Sequence, residues 1–147
     1  MSIRPANETD VPQIAVLVKS LAHYYLNDPS RELPSWLNNT LTYEAFADRI
    51  SSSEYLNFVY EEAGTIVGYI SINRNGHLYH LFVAEQSQGK GISRLIWEHA
   101  KQYCECVCFS VRSSLYAIPV YKRFGFCETG PVGTKDGVSF QPMELTK

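Results

Sequence analysis

The sequence has no long apolar run and no excess of basic residues, and both absences narrow the class of protein. The longest apolar stretches, such as residues 14–18, are far shorter than the roughly 20 residues that span a bilayer. The chain opens without a basic start and an apolar segment of the kind found in secretory signals. The net charge of −2 and the pI of about 6.1 argue against a surface for nucleic acid or anionic membrane. We therefore expect a cytoplasmic protein that binds small molecules, with neither nucleic acid nor a membrane as partner.

The cysteines lack the spacing of a metal site. Cys104, Cys106 and Cys108 alternate along the chain, and Cys127 follows later. Structural zinc pairs usually leave about two to four residues between ligands, whereas alternate positions are typical of one face of a strand. Without a secretory signal we expect thiols rather than disulfides. No metal site is predicted.

The length and the order of predicted elements indicate one α/β domain over residues 1–147. An edge strand at 3–5 precedes an amphipathic helix whose apolar positions are 14, 17, 18, 21 and 25. An irregular segment at 27–42 and a short helix at 43–50 lead to strands at 56–61, 66–73 and 77–83. A helix at 91–103, a strand at 107–111, a short helix at 117–124 and a strand at 138–145 follow. An antiparallel meander that feeds a β-α-β crossover predicts an α+β type of fold, with a mixed, mostly antiparallel central sheet and helices on both faces.

Two glycines, Gly89 and Gly91, join the strand at 77–83 to the helix at 91–103. The first turn of a helix leaves backbone N–H groups without acceptors and carries partial positive charge, so such a loop suits a phosphate or pyrophosphate. The loop has neither the G-x-x-x-x-G-K-[ST] pattern nor the third glycine of G-x-G-x-x-G, which excludes those two nucleotide-binding motifs. An ordinary tight turn is the alternative.

A second motif about thirty residues later gives the loop a context. Gln88-x-x-Gly91-x-Ser93 resembles the Q/R-x-x-G-x-G/A acyl-CoA signature of the GNAT superfamily of N-acetyltransferases. The segment that runs from Ala117 through Tyr121 to Gly125-Phe126 resembles the C-terminal Tyr-Gly-Phe segment of that family, in the family's order. Ser93 departs from the pattern, since the family prefers glycine or alanine there. The resemblance covers residues 56–126 well and the N-terminal third in outline.

The resemblance implies a GNAT-like fold in which two central parallel strands splay apart and admit acetyl-CoA, the acyl donor. It implies that the loop N–H groups bind the pyrophosphate, that the pantetheine arm lies along residues 81–83, and that Ser114 replaces an asparagine that bonds this arm. Lys90 is either an electrostatic aid or an exposed loop lysine. The residues expected to bind acetyl-CoA are Leu81, Phe82, Val83, Gln88, Gly89, Lys90, Gly91, Ile92, Ser93, Ser114 and Tyr121.

The resemblance also implies catalytic residues. Tyr121 matches the family tyrosine that serves as general acid to the departing thiolate. His77 and Tyr79 share the face of Val83 in an unbroken strand, at positions that resemble those where family members, including arylalkylamine N-acetyltransferases, place a base or a water relay. His80 faces the other way unless a bulge intervenes. The alternatives are packing for Tyr121 and surface or capping roles for the histidines.

The acceptor pocket is expected within residues 21–50, where the family varies its specificity, with Tyr24, Tyr25 and Trp36 as wall residues. Aromatic walls suit an aromatic amine or a cation, although such rings also commonly only cover a sheet. The predicted function is transfer of an acetyl group from acetyl-CoA to a primary amine of a small molecule or peptide, directly within a ternary complex. The alternative is a catalytically silent acyl-CoA-binding or regulatory module. A homodimer is left open.

Overall fold

The structure of the protein, a computed structural model, describes residues 2–146. The strands are β1 (Ser2–Pro5), β2 (Tyr55–Glu62), β3 (Thr65–Asn73), β4 (His77–Val83), β5 (Cys108–Ser114), β6 (Cys127–Glu128), β7 (Gly133–Lys135) and β8 (Val138–Thr146). The helices are α1 (Val11–Leu21), α2 (Ser35–Asn38), α3 (Tyr43–Ser51), α4 (Ile92–Tyr103) and α5 (Ile118–Phe124). Within the described residues the strands form one sheet in the order β1-β2-β3-β4-β5-β8-β6, and β7 also pairs with β8. Only β4 and β5 pair in parallel, which confirms the predicted mixed, mostly antiparallel sheet.

Helices cover both faces of this sheet, as predicted. Phe46 of α3 is fully buried, and its ring centroid lies 5.9 Å from that of Tyr69 on β3. The next residue back along β3, Gly68, faces the opposite side, because neighbouring strand residues alternate. A Cβ at Gly68 would lie 2.5 Å from Cδ1 of Ile96 on α4. The glycine therefore lets α4 approach the sheet closely, and α1 and α3 occupy the other face.

The N-terminal segment is held by a charged cluster. The guanidinium of Arg4 on β1 donates to both carboxylate oxygens of Asp10 at 2.8 Å and to Glu61 of β2 at 3.1 Å. Asn7 begins a 3-10 turn (Glu8–Asp10) through a capping box, in which Asp10 accepts from the Asn7 N–H at 2.9 Å. These bonds fix the direction in which α1 leaves the edge of the sheet.

A β-bulge interrupts β4 at Tyr79. Ser71 of β3 lies opposite His80, and the next residue, Ile72, lies opposite Leu78, so Tyr79 is the extra residue. A bulge places two residues of one strand opposite one residue of its partner and breaks the alternation of side chains. The alternation on which the sequence prediction depended therefore does not hold in β4.

The bulge brings Tyr79 and His80 to the same side of the sheet. The Arg49 guanidinium of α3 lies 4.9 Å from the centroid of the Tyr79 ring. The ring centroids of His80 and Phe46, which is also on α3, are 5.8 Å apart. Val83 faces α4 instead, because its partner on β3 is Gly68. The register also places Leu78, the residue after His77, on the same face as Val83. The prediction that His77 and Tyr79 share the face of Val83 is therefore wrong.

The parallel strands β4 and β5 pair over a short distance only. Their register comprises His77 opposite Ser110 and Leu78 opposite Val111. Beyond these two pairs the strands separate, while β5 stays paired to β8 along its whole length. The separation leaves one edge of β4 open toward the middle of the molecule.

Three other expectations need correction. The segment at 27–42 is less irregular than predicted, since it contains α2 and a 3-10 turn (Asn39–Leu41). The short strands β6 and β7 were not predicted. The alternating cysteines do not share a strand face, because Cys104 ends α4 and β5 begins only at Cys108.

No helix within residues 2–146 combines the length and the apolar character that a membrane span requires.

Candidate functional site

A cavity of about 380 Å³ lies where β4 and β5 separate. Its walls come from the 3-10 turn after α1 (Ala22–Tyr25), the second half of β4, the loop before α4, the end of β5 and the first turns of α4 and α5. Every residue that was expected to bind acetyl-CoA lines this cavity except Lys90. The fold thus brings together in space two motifs that are separate in the sequence.

The loop before α4 supplies backbone donors at one end of the cavity. Gly89 and Gly91 have φ angles of +81° and +79°, a conformation that L-residues rarely adopt. Gly91 is the N-cap of α4 and offers no side chain to cap it, so the N–H groups of Ile92 and Ser93 in the first turn have no intrahelical acceptor. Both residues line the cavity. This end of the cavity suits an anionic group.

Gln88 bridges the two sides of the opening. Its Nε2 donates to the Val83 carbonyl at 3.0 Å, and its Oε1 accepts from the Tyr116 hydroxyl at 3.0 Å. The Tyr116 ring stacks on Tyr24 with centroids 4.0 Å apart, and Tyr24 in turn donates to Glu85 at 2.5 Å. That hydrogen bond to a carboxylate raises the pKa of Tyr24 to about 12. The two stacked rings therefore join the turn after α1 to the segment between β5 and α5 across the mouth of the cavity.

Tyr121 of α5 lines the cavity and is almost completely buried. Its ring packs edge-on against Phe126, with centroids 5.6 Å apart. Burial raises the pKa of Tyr121, and the nearby Tyr25 raises it further. The phenol therefore stays protonated at neutral pH, as a proton donor must.

The residues predicted as base or relay occupy different positions. Tyr79 lines the cavity, whereas His77 lies beside the paired end of the strands, with Nδ1 2.9 Å from Oγ of Ser110. Burial lowers the pKa of His77, and Arg112 lowers it further. His80 is buried against α3, neither ring nitrogen has a hydrogen-bond partner within residues 2–146, and burial holds its pKa well below the ordinary value. Both histidines are therefore neutral at pH 7.

The predicted acceptor wall is only partly assembled at the cavity. Tyr24 and Tyr25 line it. Trp36 lies elsewhere: its Nε1 donates to Asp136 at 2.7 Å, and Lys135 lies 4.8 Å from its ring centroid. Through this hydrogen bond Trp36 connects α2 to the turn between β7 and β8.

Several residues that line the cavity were not predicted, and three of them have long polar side chains: Arg112, Tyr116 and Arg123. Tyr116 directly precedes the second motif, and Arg112 lies two residues before Ser114, so strand alternation from Ser114 was the available signal. Among residues 2–146 there is no group of three or more His, Cys, Asp or Glu side chains that could hold a metal ion.

The cavity and the sheet together indicate the kind of ligand that the protein binds. Two central strands part around a cavity that has unpaired β4 backbone along one side and a helix N-terminus at one end. Such a cleft suits an extended ligand with an anionic terminus.

Comparison with known proteins identifies the family. The family model described as "Acetyltransferase (GNAT) domain" matches residues 25–147. The chain therefore belongs to the GNAT acetyltransferase family, which confirms the resemblance seen in its motifs. A search of the curated proteins gives no match.

Solved structures share the fold at low sequence identity. A PaiA N-acetyltransferase from Thermoplasma acidophilum, crystallised with coenzyme A, has a TM-score of 0.80 and 16% identity and covers 99% of this chain and 98% of its own. The ribosomal-protein-S18-alanine N-acetyltransferase from Escherichia coli has a TM-score of 0.73 and 20% identity, with coverage of 99% and 92%. An aminoglycoside 6'-acetyltransferase type Ii has a TM-score of 0.74 and 13% identity, with coverage of 99% and 97%. At these identities the likeness concerns the fold.

Proposed function

We propose that residues 1–147 form one N-acetyltransferase domain that transfers the acetyl group of acetyl-CoA to a primary amine of a small molecule or peptide. Transfer is direct, within a ternary complex. The observation that carries this proposal is the cleft, because β4 and β5 pair through two residues and then separate around a cavity lined by both family motifs.

The donor fits this cleft in one orientation. The first-turn N–H groups of α4 receive the pyrophosphate, and the pantetheine arm runs along the open edge of β4 beside residues 81–83. The thioester then lies toward the point where the strands meet, next to Tyr121. The relative crystallised with coenzyme A supports a ligand of this type.

The chemistry needs a neutral amine, a polarised carbonyl and a proton for the leaving thiolate. The amine nitrogen attacks the thioester carbon, the C–S bond breaks, and Tyr121 donates its proton to sulfur. The nitrogen loses one proton to solvent as the amide forms, and the Tyr121 phenolate takes up one proton from solvent, so that the products are the amide and the CoA thiol. Tyr121 is suited to this role because its raised pKa keeps it protonated until charge develops on sulfur.

A specific observation favours the alternative, a catalytically silent acyl-CoA-binding module. The described residues that line the cavity include no histidine, aspartate or glutamate, so no conventional base faces the expected acceptor. A module of this kind would keep the loop before α4 and the cleft, and it would bind acetyl-CoA without releasing CoA in the presence of amines.

A thermal-shift titration with acetyl-CoA and with CoA, followed by thiol release against a panel of amines, separates the two functions. We expect both ligands to stabilise the fold and at least one amine to release CoA. Stabilisation without release by any amine supports the silent module. No stabilisation by either ligand contradicts both.

A further inference from the structure

Arg112 places a positive charge at the inner end of the cavity. It directly follows Val111, the last β5 residue that pairs with β4, and it lines the cavity. Its guanidinium carbon lies 5.6 Å from the centroid of the Phe140 ring on β8, which holds the side chain against the sheet. Arg112 is an exposed residue overall, so this packing does not enclose it.

This position is remote from the phosphate end. On β4, Leu78 lies opposite Val111. From Leu78 to Val83 the strand extends about 16 Å at the usual rise per residue. The loop with its unpaired N–H groups lies beyond Val83, and Arg123 lies close to that loop, because Arg94 of α4 donates to its carbonyl at 2.6 Å. In the orientation proposed above, Arg123 is therefore near the CoA phosphates, whereas Arg112 is at the end of the cavity assigned to the thioester and the acceptor.

Within the part of the chain that the structure describes, no carboxylate pairs with Arg112. Among residues 2–146 no aspartate or glutamate lines the cavity, and Arg112 forms no ion pair. Glu144 of β8 lies opposite Ser110, on the same face as Arg112, and is not paired with it either. Within the described residues, Arg112 is therefore an arginine at the inner end of the cavity without a carboxylate partner.

A second guanidinium adds to the positive potential there. Arg49 is buried between the rings of Phe46 and Tyr79, at 5.0 Å and 4.9 Å, and donates to the Thr40 carbonyl. Its Nε has no hydrogen-bond partner within the described part of the chain, and it forms no ion pair there. Its charge lies behind Tyr79, a wall of the cavity, and opposes the increase in the pKa of Tyr25 that burial causes.

We propose that the acceptor is a small amine that carries a carboxylate, as an amino acid does, and that Arg112 binds this carboxylate. The inference rests on the proposed function. The planar guanidinium matches a carboxylate with two parallel hydrogen bonds, and this arrangement holds the neighbouring amine near the thioester. Polycationic acceptors are disfavoured, because Arg112 and Arg49 form no ion pair among residues 2–146 and no acidic side chain of these residues lines the cavity.

The test compares amino acids with the amines that lack only the carboxylate. Suitable pairs are phenylalanine with phenethylamine, tryptophan with tryptamine, and leucine with 3-methylbutylamine. We expect kcat/KM to be about 10- to 100-fold higher for the amino acid of at least one pair. In Arg112→Gln the ratio of the two values should fall to about one, and Arg112→Lys should restore part of it. Arg74→Gln, in the turn between β3 and β4 and outside the cavity, is the matched control and should keep the wild-type ratio.

Equal kcat/KM within every pair, or a ratio that survives in Arg112→Gln, overturns the carboxylate site. If no amine is acetylated although CoA binds, the proposed function fails, and the site is then tested by binding alone. N-acetylphenylalanine should stabilise the CoA-bound wild type more than N-phenethylacetamide does, and this difference should vanish in Arg112→Gln. Equal stabilisation by both compounds overturns the carboxylate site in that case too.

Discussion

The phenol of Tyr121 is the single group that our mechanism needs as an acid. Tyr121→Phe keeps the ring that packs on Phe126 and removes only the hydroxyl. Because general acid catalysis typically contributes about 10²- to 10⁴-fold, we expect kcat to fall by roughly 100-fold or more with little change in CoA affinity. Thiol-release kinetics and a CoA titration measure the two effects separately.

Tyr103→Phe is the matched control, since Tyr103 is an exposed tyrosine on α4 outside the cavity. It should leave both quantities unchanged. A Tyr121→Phe enzyme with wild-type kcat would remove the phenol from the mechanism and reduce Tyr121 to packing.

Individual residues were predictable where a local motif contains them. Tyr121 and the loop glycines belong to short patterns, so their presence at the cavity could be expected from the sequence. Arg112 and Tyr116 could not be singled out, because what brings them to the site is the register of β5 against β4 and β8, a long-range property. Trp36 was misplaced for the same reason, since its partner Asp136 is a hundred residues away.

At the level of elements, the junction between β4 and α4 carries the most specific prediction. A Cβ at Gly91 meets no atom within 4 Å in the free protein, so a side chain there costs mainly the strain of a positive φ, about 1–2 kcal/mol. In the CoA complex that we propose, the same side chain would compete with the phosphates for this space. We expect Gly91→Val to lower CoA affinity at least tenfold, measured by isothermal titration.

Gly64, in the turn between β2 and β3, provides the control for backbone strain. Its φ of +80° and its empty surroundings match those of Gly91. Gly64→Val should lose a similar free energy of unfolding and keep wild-type CoA affinity. If both variants bind CoA equally well, the loop is only a turn.

The elements themselves followed from periodicity, but their irregularities did not. The meander, the crossover helix α4 and the short helix α5 were all expected from apolar spacing and turn residues. The bulge at Tyr79 has no signature in the sequence of β4, because it is a property of the pairing between β4 and β3. This one extra residue decides which side chains of β4 face the cavity.

For the whole molecule, the sequence predicted the central strands and the edge strand at 3–5 but missed two short strands beside β8. The strands β6 and β7 are two and three residues long, too short to give a periodic pattern. The separation of β4 from β5 is a tertiary feature, and only the family resemblance implied it. Where β5 leaves β4, it remains paired with β8 along its whole length, and the cavity lies in the space between β4 and β5.

The cluster that closes the N-terminal edge gives a prediction for global stability. Asp10 is buried and accepts two hydrogen bonds from Arg4, which lower its pKa below the ordinary 3.8. The ionised carboxylate therefore stabilises the fold fully only above about pH 5, and this contribution is lost as the pH falls through the unfolded-state pKa toward the lower, folded-state pKa. We expect Asp10→Asn to reduce the free energy of unfolding at pH 7 by about 1–3 kcal/mol, and the deficit relative to wild type to shrink as the pH is lowered below 4.

Urea unfolding of wild type and Asp10→Asn at pH 7, 5, 4 and 3 measures this deficit. Asp28→Asn serves as the control, because Asp28 pairs with Arg31 in an exposed loop at 3.7 Å, where water screens the interaction. Its deficit at pH 7 should be clearly smaller than that of Asp10→Asn. If the deficit for Asp10→Asn is as large at pH 3 as at pH 7, protonation of Asp10 does not weaken the fold. Shape and packing, rather than the charge of Asp10, would then hold β1 and α1 in place.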